Sequence, residues 1–148
     1  MTVELTALVW SGVLLFVLIL ISAFANVRAM GQPWGIGNRE DTPPSTGFSG
    51  RAKRAYMNLL EQLVVFAAIA IPAHAAGIHS SLTVLAAQLF LAGRVAHAIV
   101  YLVGWTFISI RTLVWLVAIV GTGIYIYAVV TSGTLILTAA PAIAATPM

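Results

Sequence analysis

Apolar residues fill four long stretches of the chain, covering approximately residues 5–26, 58–76, 81–104 and 111–130. None alternates with a period of two, and each is close to the roughly 20 helical residues that cross a hydrocarbon core. The pattern predicts an all-α integral membrane protein, a single domain built as a four-helix bundle. The first run ends near Ala23-Phe24-Ala25, which resembles a signal-peptidase site. However, no Lys or Arg precedes it, Glu4 stands where a basic segment belongs, and the run is long, so it reads as a retained span.

Between the runs, residues 27–49 form the one long connection. Gly31, Pro33, Gly35, Gly37, Pro43, Pro44 and Gly47 make it turn-rich rather than helical. Ser49 is the expected N-cap of a helix that starts before the membrane. Pro72 is expected to kink or end the second span. Tyr125 and Tyr127 are expected in an interfacial aromatic belt. The tail after Ser132 is apolar but interrupted by Pro141 and Pro147, so it is expected to lie along the membrane or fray, not to span.

Composition turns this pattern into a solvent argument. Of 148 residues, 61% are hydrophobic and 7% charged, with a mean hydropathy of +1.03. A soluble domain carries about 25% charged residues, so lipid must solvate most of this exterior. The net charge of +3 arises from few groups, and the Lys and Arg residues cluster between the runs. Arg28, Arg39, Arg51, Lys53 and Arg54 lie in or beside the first connection, and Arg111 ends the third. The second connection and both termini carry no Lys or Arg. That asymmetry predicts a multi-pass protein with the first and third loops cytoplasmic and both termini outside. It argues against a nucleic-acid partner. With no cysteine in the chain, there is no disulfide, thiolate metal site or protein thiol nucleophile.

Charges within a span cost about 2.5–3.5 kcal/mol each on insertion scales and need a reason. Glu61 lies a turn inside the second run, and Arg94 near the middle of the third. At 100° per residue, Arg51, Arg54, Asn58 and Glu61 share an arc of about 80° on one helix. By the same arithmetic, Arg94, His97 and Tyr101 share about 60° on the next. Two polar stripes on consecutive helices must face each other or a wet cleft. Glu61 and Arg94 then form either a buried ion pair between helices or a ligand contact. His97 is either a satisfied polar group or part of a working site. Arg111, at a helix start, is either a topology signal or half of an anion site shared with the helix N-terminus. His74 and His79 flank the opposite turn without carboxylate or cysteine company, so no metal site is expected there. No Ser-His-Asp set, P-loop or GxGxxG occurs.

Arg51-Ala-Lys-Arg54-Ala-Tyr-Met-Asn58-Leu-Leu-Glu61, followed by Gln-Leu-Val-Val-Phe66, resembles the R-x-x-R-x-x-x-N-x-x-E-x-x-P-x-F signature of the MAPEG family. These are the membrane-associated proteins of eicosanoid and glutathione metabolism. Arg94-Val-Ala-His97-Ala-Ile-Val-Tyr101 is similar to that family's R-x-x-H/Y-x-x-x-Y stripe, and Arg111-Thr112 to its activating arginine and the residue after it. Val64, followed by Val65, stands where many members have proline, and Trp115 stands where some members have tyrosine. The compact loops resemble the bacterial branch, which implies a bacterial inner membrane. Asp41, in a loop of unusual length, is given no role.

The resemblance implies a homotrimer that binds glutathione as co-substrate between subunits, near the cytoplasmic helix ends. Arg51, Arg54, Asn58, Glu61, Arg94, His97 and Tyr101 would hold the peptide, and Arg111 would stabilise its thiolate against a lipophilic small-molecule electrophile from the bilayer. A transferase or peroxidase is the implied activity. A non-catalytic lipid-binding or scaffold member is the alternative. A small transporter using Glu61, Arg94 and His97 as a relay is a third class, without the internal repeat that transporters use.

Overall fold

The computed structural model describes residues 1–39, 42–105 and 107–144. Its helices are α1 (Val3–Met30), α2 (Gln32–Ile36), α3 (Gly47–Ala75), α4 (Ser81–Val103) and α5 (Ile110–Ala144), with a 3₁₀ turn at Phe107–Ser109 before α5. Among the described residues there is no strand. Four of these helices are long and apolar enough to cross a membrane: α1, α3, α4 and, within α5, Ile110–Gly133.

Close approach of α4 and α5 organises the bundle. A Cβ on Gly93 would stand 2.7 Å from the Ala118 nitrogen, and one on Gly121 2.7 Å from the Phe90 nitrogen. Small residues let two backbones meet, which is how helices gain packing when lipid supplies no hydrophobic drive between them. As a result half of the apolar stretch of α4 is buried, against 22% in each of the others. Phe66 (α3) stacks on Phe90 (α4) at 4.2 Å and meets Tyr125 (α5) edge-on at 5.2 Å. The outer faces carry Trp10, Phe16, Phe24, Val64 and Val120, all exposed as a lipid-solvated surface requires.

Several expectations need correction. Tyr125 is 1% exposed and belongs to the core, whereas Tyr127 faces outward. Helical periodicity separates residues two apart by 200°, so one interfacial assignment could not serve both. Thr46, not Ser49, is the N-cap of α3, and Ser49 bonds back to the Thr46 carbonyl at 3.0 Å. The first connection contains α2, which Gly31 and Pro33 start in the way proline favours a first helical turn. Its fold is closed by the Trp34 indole donating to Thr42 at 2.9 Å and by Arg39 lying over the Trp34 ring. Glu40 and Asp41 lie outside the described residues. Pro72 does end its helix, three residues later at Ala75.

The tail differs too. α5 continues as helix to Ala144 through Pro141. Residues 134–140 contain no helix breaker, and proline interferes chiefly with the turn before it. Pro147 lies outside the described residues.

At the end of the bundle away from the arginines, Glu4 is 2% exposed. Its Oε1 accepts from the Thr83 hydroxyl at 2.6 Å and lies 2.7 Å from His79 Nδ1. His79 therefore has carboxylate company after all, contributed by a residue 75 positions away.

Candidate functional site

The polar residues gather where α1 ends, α3 begins and α4 passes to α5. α4 closes at Gly104, whose φ of +82° and amide bonding to the Val100 carbonyl make a left-handed cap. The Arg51 side chain lies against this glycine: a Cβ there would stand 3.0 Å from Arg51 Nε. A side chain at position 104 would both strain the cap and displace the arginine.

Two adjoining cavities open here. One, about 480 Å³, is lined by Asn58, His97, Tyr101, Arg111, Thr112 and Trp115. The other, about 230 Å³, is lined by Arg51, Arg54, Tyr101 and Arg111 with Gly47, Val100 and Gly104. Tyr101 and Arg111 border both. Among the described residues no acidic side chain lines either, so the fixed charge they give both cavities is positive and suits an anion.

Of the residues singled out in the sequence, Arg51, Arg54, Asn58, His97, Tyr101 and Arg111 are brought together. Arg94 is placed differently. It is 1% exposed, lines neither cavity, and donates from Nη1 to Asn58 Oδ1 at 2.8 Å. The two stripes do face each other, but through this Arg94–Asn58 bond and not through an ion pair of Arg94 with Glu61. Among the described residues the one ion pair is Glu4–His79. Glu61 is exposed on the outer face of α3. On that arc Asn58 and Glu61 stand about 60° apart, enough to turn Asn58 inward and leave Glu61, at the edge, outside.

Thr112 and Trp115 were not among the predicted site residues. Their signal was positional, since they follow Arg111 by one and four residues, and the fourth residue along a helix returns to the same face. Ring contacts support the site from within: the His97 and Tyr101 centroids are 4.6 Å apart, and the Arg111 guanidinium lies 5.5 Å from the Tyr101 ring centroid.

A family model described as the MAPEG family matches residues 6–131. The chain belongs to the MAPEG family. The match reaches all four spans and includes every cavity-lining residue above, so the cationic site sits inside the region that defines this MAPEG chain. No curated protein and no solved structure matches it.

A larger cavity, about 770 Å³, lies apart from Arg111. It is lined by Ile21, Phe24, Ala25, Arg28 and Ala29 of α1 with Thr46, Phe48 and Ser49.

Proposed function

We propose that this MAPEG protein is a glutathione-dependent transferase or peroxidase acting on lipophilic electrophiles. The observation that carries the reading is the pair of cavities meeting at Arg111, cationic throughout and without a cysteine of their own. Glutathione brings two carboxylates and a thiol. Arg51 and Arg54 are suited to the carboxylates, because guanidinium matches carboxylate geometry in paired bonds. Arg94 holds Asn58 in place from behind.

Arg111 favours the ionised form of a thiol placed beside it, lowering the pKa so that thiolate is present at neutral pH. In conjugation the thiolate sulfur forms a bond to an electrophilic carbon. The displaced electron pair leaves with a leaving group or passes into a conjugated acceptor, which then takes a proton. Trp115 and Thr112 wall the side of the larger site cavity where such a carbon would lie.

The same reading includes a homotrimer and a site completed between copies, with the arginine-rich end in the cytoplasm of a bacterial inner membrane. Exposure of Glu61 within a spanning helix supports association, since lipid cannot solvate a carboxylate and a second protein surface can.

Purified protein is expected to conjugate a general electrophile to glutathione, and Arg111→Ala to lose about 10²-fold in rate, the scale of one anion-stabilising donor. Absence of thiol-dependent turnover with every electrophile class tried would overturn the enzyme reading.

The cavity beside Arg28 favours a second reading, a non-catalytic lipid-binding or scaffold member, because it is an apolar groove that does not involve Arg111. Lipid binding that ignores glutathione, with Arg111→Ala silent, would select it.

A further inference from the structure

Arg111 is exposed at the start of α5, on a flexible stem, and among the described residues it makes no hydrogen bond or ion pair. What faces its guanidinium is the ring of Tyr101, at 5.5 Å from the centroid. A cation within about 6 Å of an aromatic face is held by the ring quadrupole. The ring also packs against His97, with centroids 4.6 Å apart and the planes tilted 40°. His97 is 4% exposed and sits one turn before Tyr101 on α4. Position is thus relayed from a buried imidazole, through a half-buried ring, to an arginine without a hydrogen bond or ion pair among the described residues.

We propose that Tyr101 acts through its ring face as a positioning residue, holding Arg111 at the junction of the two cavities. This differs from the role the family resemblance suggests, in which the tyrosine grips the peptide. It rests on reading Arg111 as the thiolate-stabilising group, but the geometry itself can be tested without that reading. Tyr101 and Arg111 are the two residues that line both cavities, so a guanidinium held there lies between a carboxylate-binding lobe and a lobe walled by Trp115. Without the ring the arginine would sweep a wide volume, and its charge would spend less time beside the thiol. Carboxylate binding by Arg51 and Arg54 would persist. The expected signature is therefore a fall in kcat with a smaller change in the KM for glutathione.

Two measurements on the full-length protein in detergent test this. The first is the titration of bound glutathione, followed by thiolate absorbance, together with kcat and KM. Tyr101→Leu should lower kcat by about fivefold or more, the factor for loss of one cation–π contact, and move the thiol midpoint toward that of free glutathione. Tyr101→Phe, which keeps the ring and removes the hydroxyl, should restore most of both. Phe failing as badly as Leu would overturn the proposal in favour of the hydroxyl, and a silent Leu variant would overturn it outright.

The second measurement needs no turnover. Arginine modification by phenylglyoxal, mapped by mass spectrometry, should be faster at Arg111 in Tyr101→Leu than in wild type or Tyr101→Phe. If wild type never binds glutathione as thiolate, the proposed function fails while this comparison still decides the positioning role. Should Tyr101→Leu not fold, Tyr101→Met removes the aromatic face with a longer, adaptable side chain and is read the same way.

Discussion

The Glu4 carboxylate lies 2.7 Å from the His79 ring nitrogen, tying the first turn of α1 to the turn between α3 and α4. The same oxygen accepts from Thr83, while Oε2 is buried with no partner. The first turn of a helix favours negative charge, which adds to the stabilisation of Glu4 in its ionised form.

Glu4→Ala is expected to destabilise the bundle by about 2 kcal/mol, through loss of a charge-assisted bond and the space left behind. Glu4→Gln, which keeps the shape and one acceptor, should cost about half as much. Thermal unfolding in detergent checks both, and equal melting temperatures for wild type and Glu4→Ala would show that this contact is idle.

Among the described residues Asn58 is the one hydrogen-bond acceptor of the Arg94 guanidinium, whose Nε and Nη2 are buried without partners. Asn58→Ala removes the hydrogen bond to this buried guanidinium and should cost about 1.5–3 kcal/mol. Asn58→Asp places a counter-charge in the same position and should be clearly more stable than the alanine variant. The opposite order would mean that Arg94 draws its compensation from elsewhere.

Contact between α4 and α5 depends on two missing side chains. Gly93→Ala drives a Cβ onto Ala118 and Gly121→Ala onto Phe90 and Ala86, in each case against backbone that cannot swing aside. Each variant should lose about 1–3 kcal/mol, the usual range for overpacking. Since α5 carries Arg111 and Trp115, spreading the helices should also reduce any activity of the site. Measured unfolding at the wild-type temperature for both variants would contradict the close approach.

Trp115→Ala should raise the KM for a lipophilic electrophile by about tenfold, the equivalent of losing roughly 1.4 kcal/mol of apolar burial. The KM for glutathione should respond less. Steady-state kinetics with each substrate varied in turn separates the two; a rise confined to glutathione would place the electrophile outside the Trp115 lobe.

By itself the sequence determined the spans, because a hydrocarbon solvent imposes length and composition on any segment that crosses it, one helix at a time. It also contained the polar stripes on α3 and α4 and the helix-start arginine, which follow from period and position alone. Pairing was not legible. Helical periodicity sets the direction of a side chain to within tens of degrees, but not which neighbour waits there. Asn58 rather than Glu61 therefore became the partner of Arg94, and Tyr125 entered the core. Glu4 and His79 could be joined only once α1 had packed beside the α3–α4 turn, since no local pattern links residues so far apart. The shape of the site, two cavities sharing Tyr101 and Arg111, arises from the left-handed stop at Gly104 and the return of the chain into α5. That is a relation between helices, and only their packing decides it.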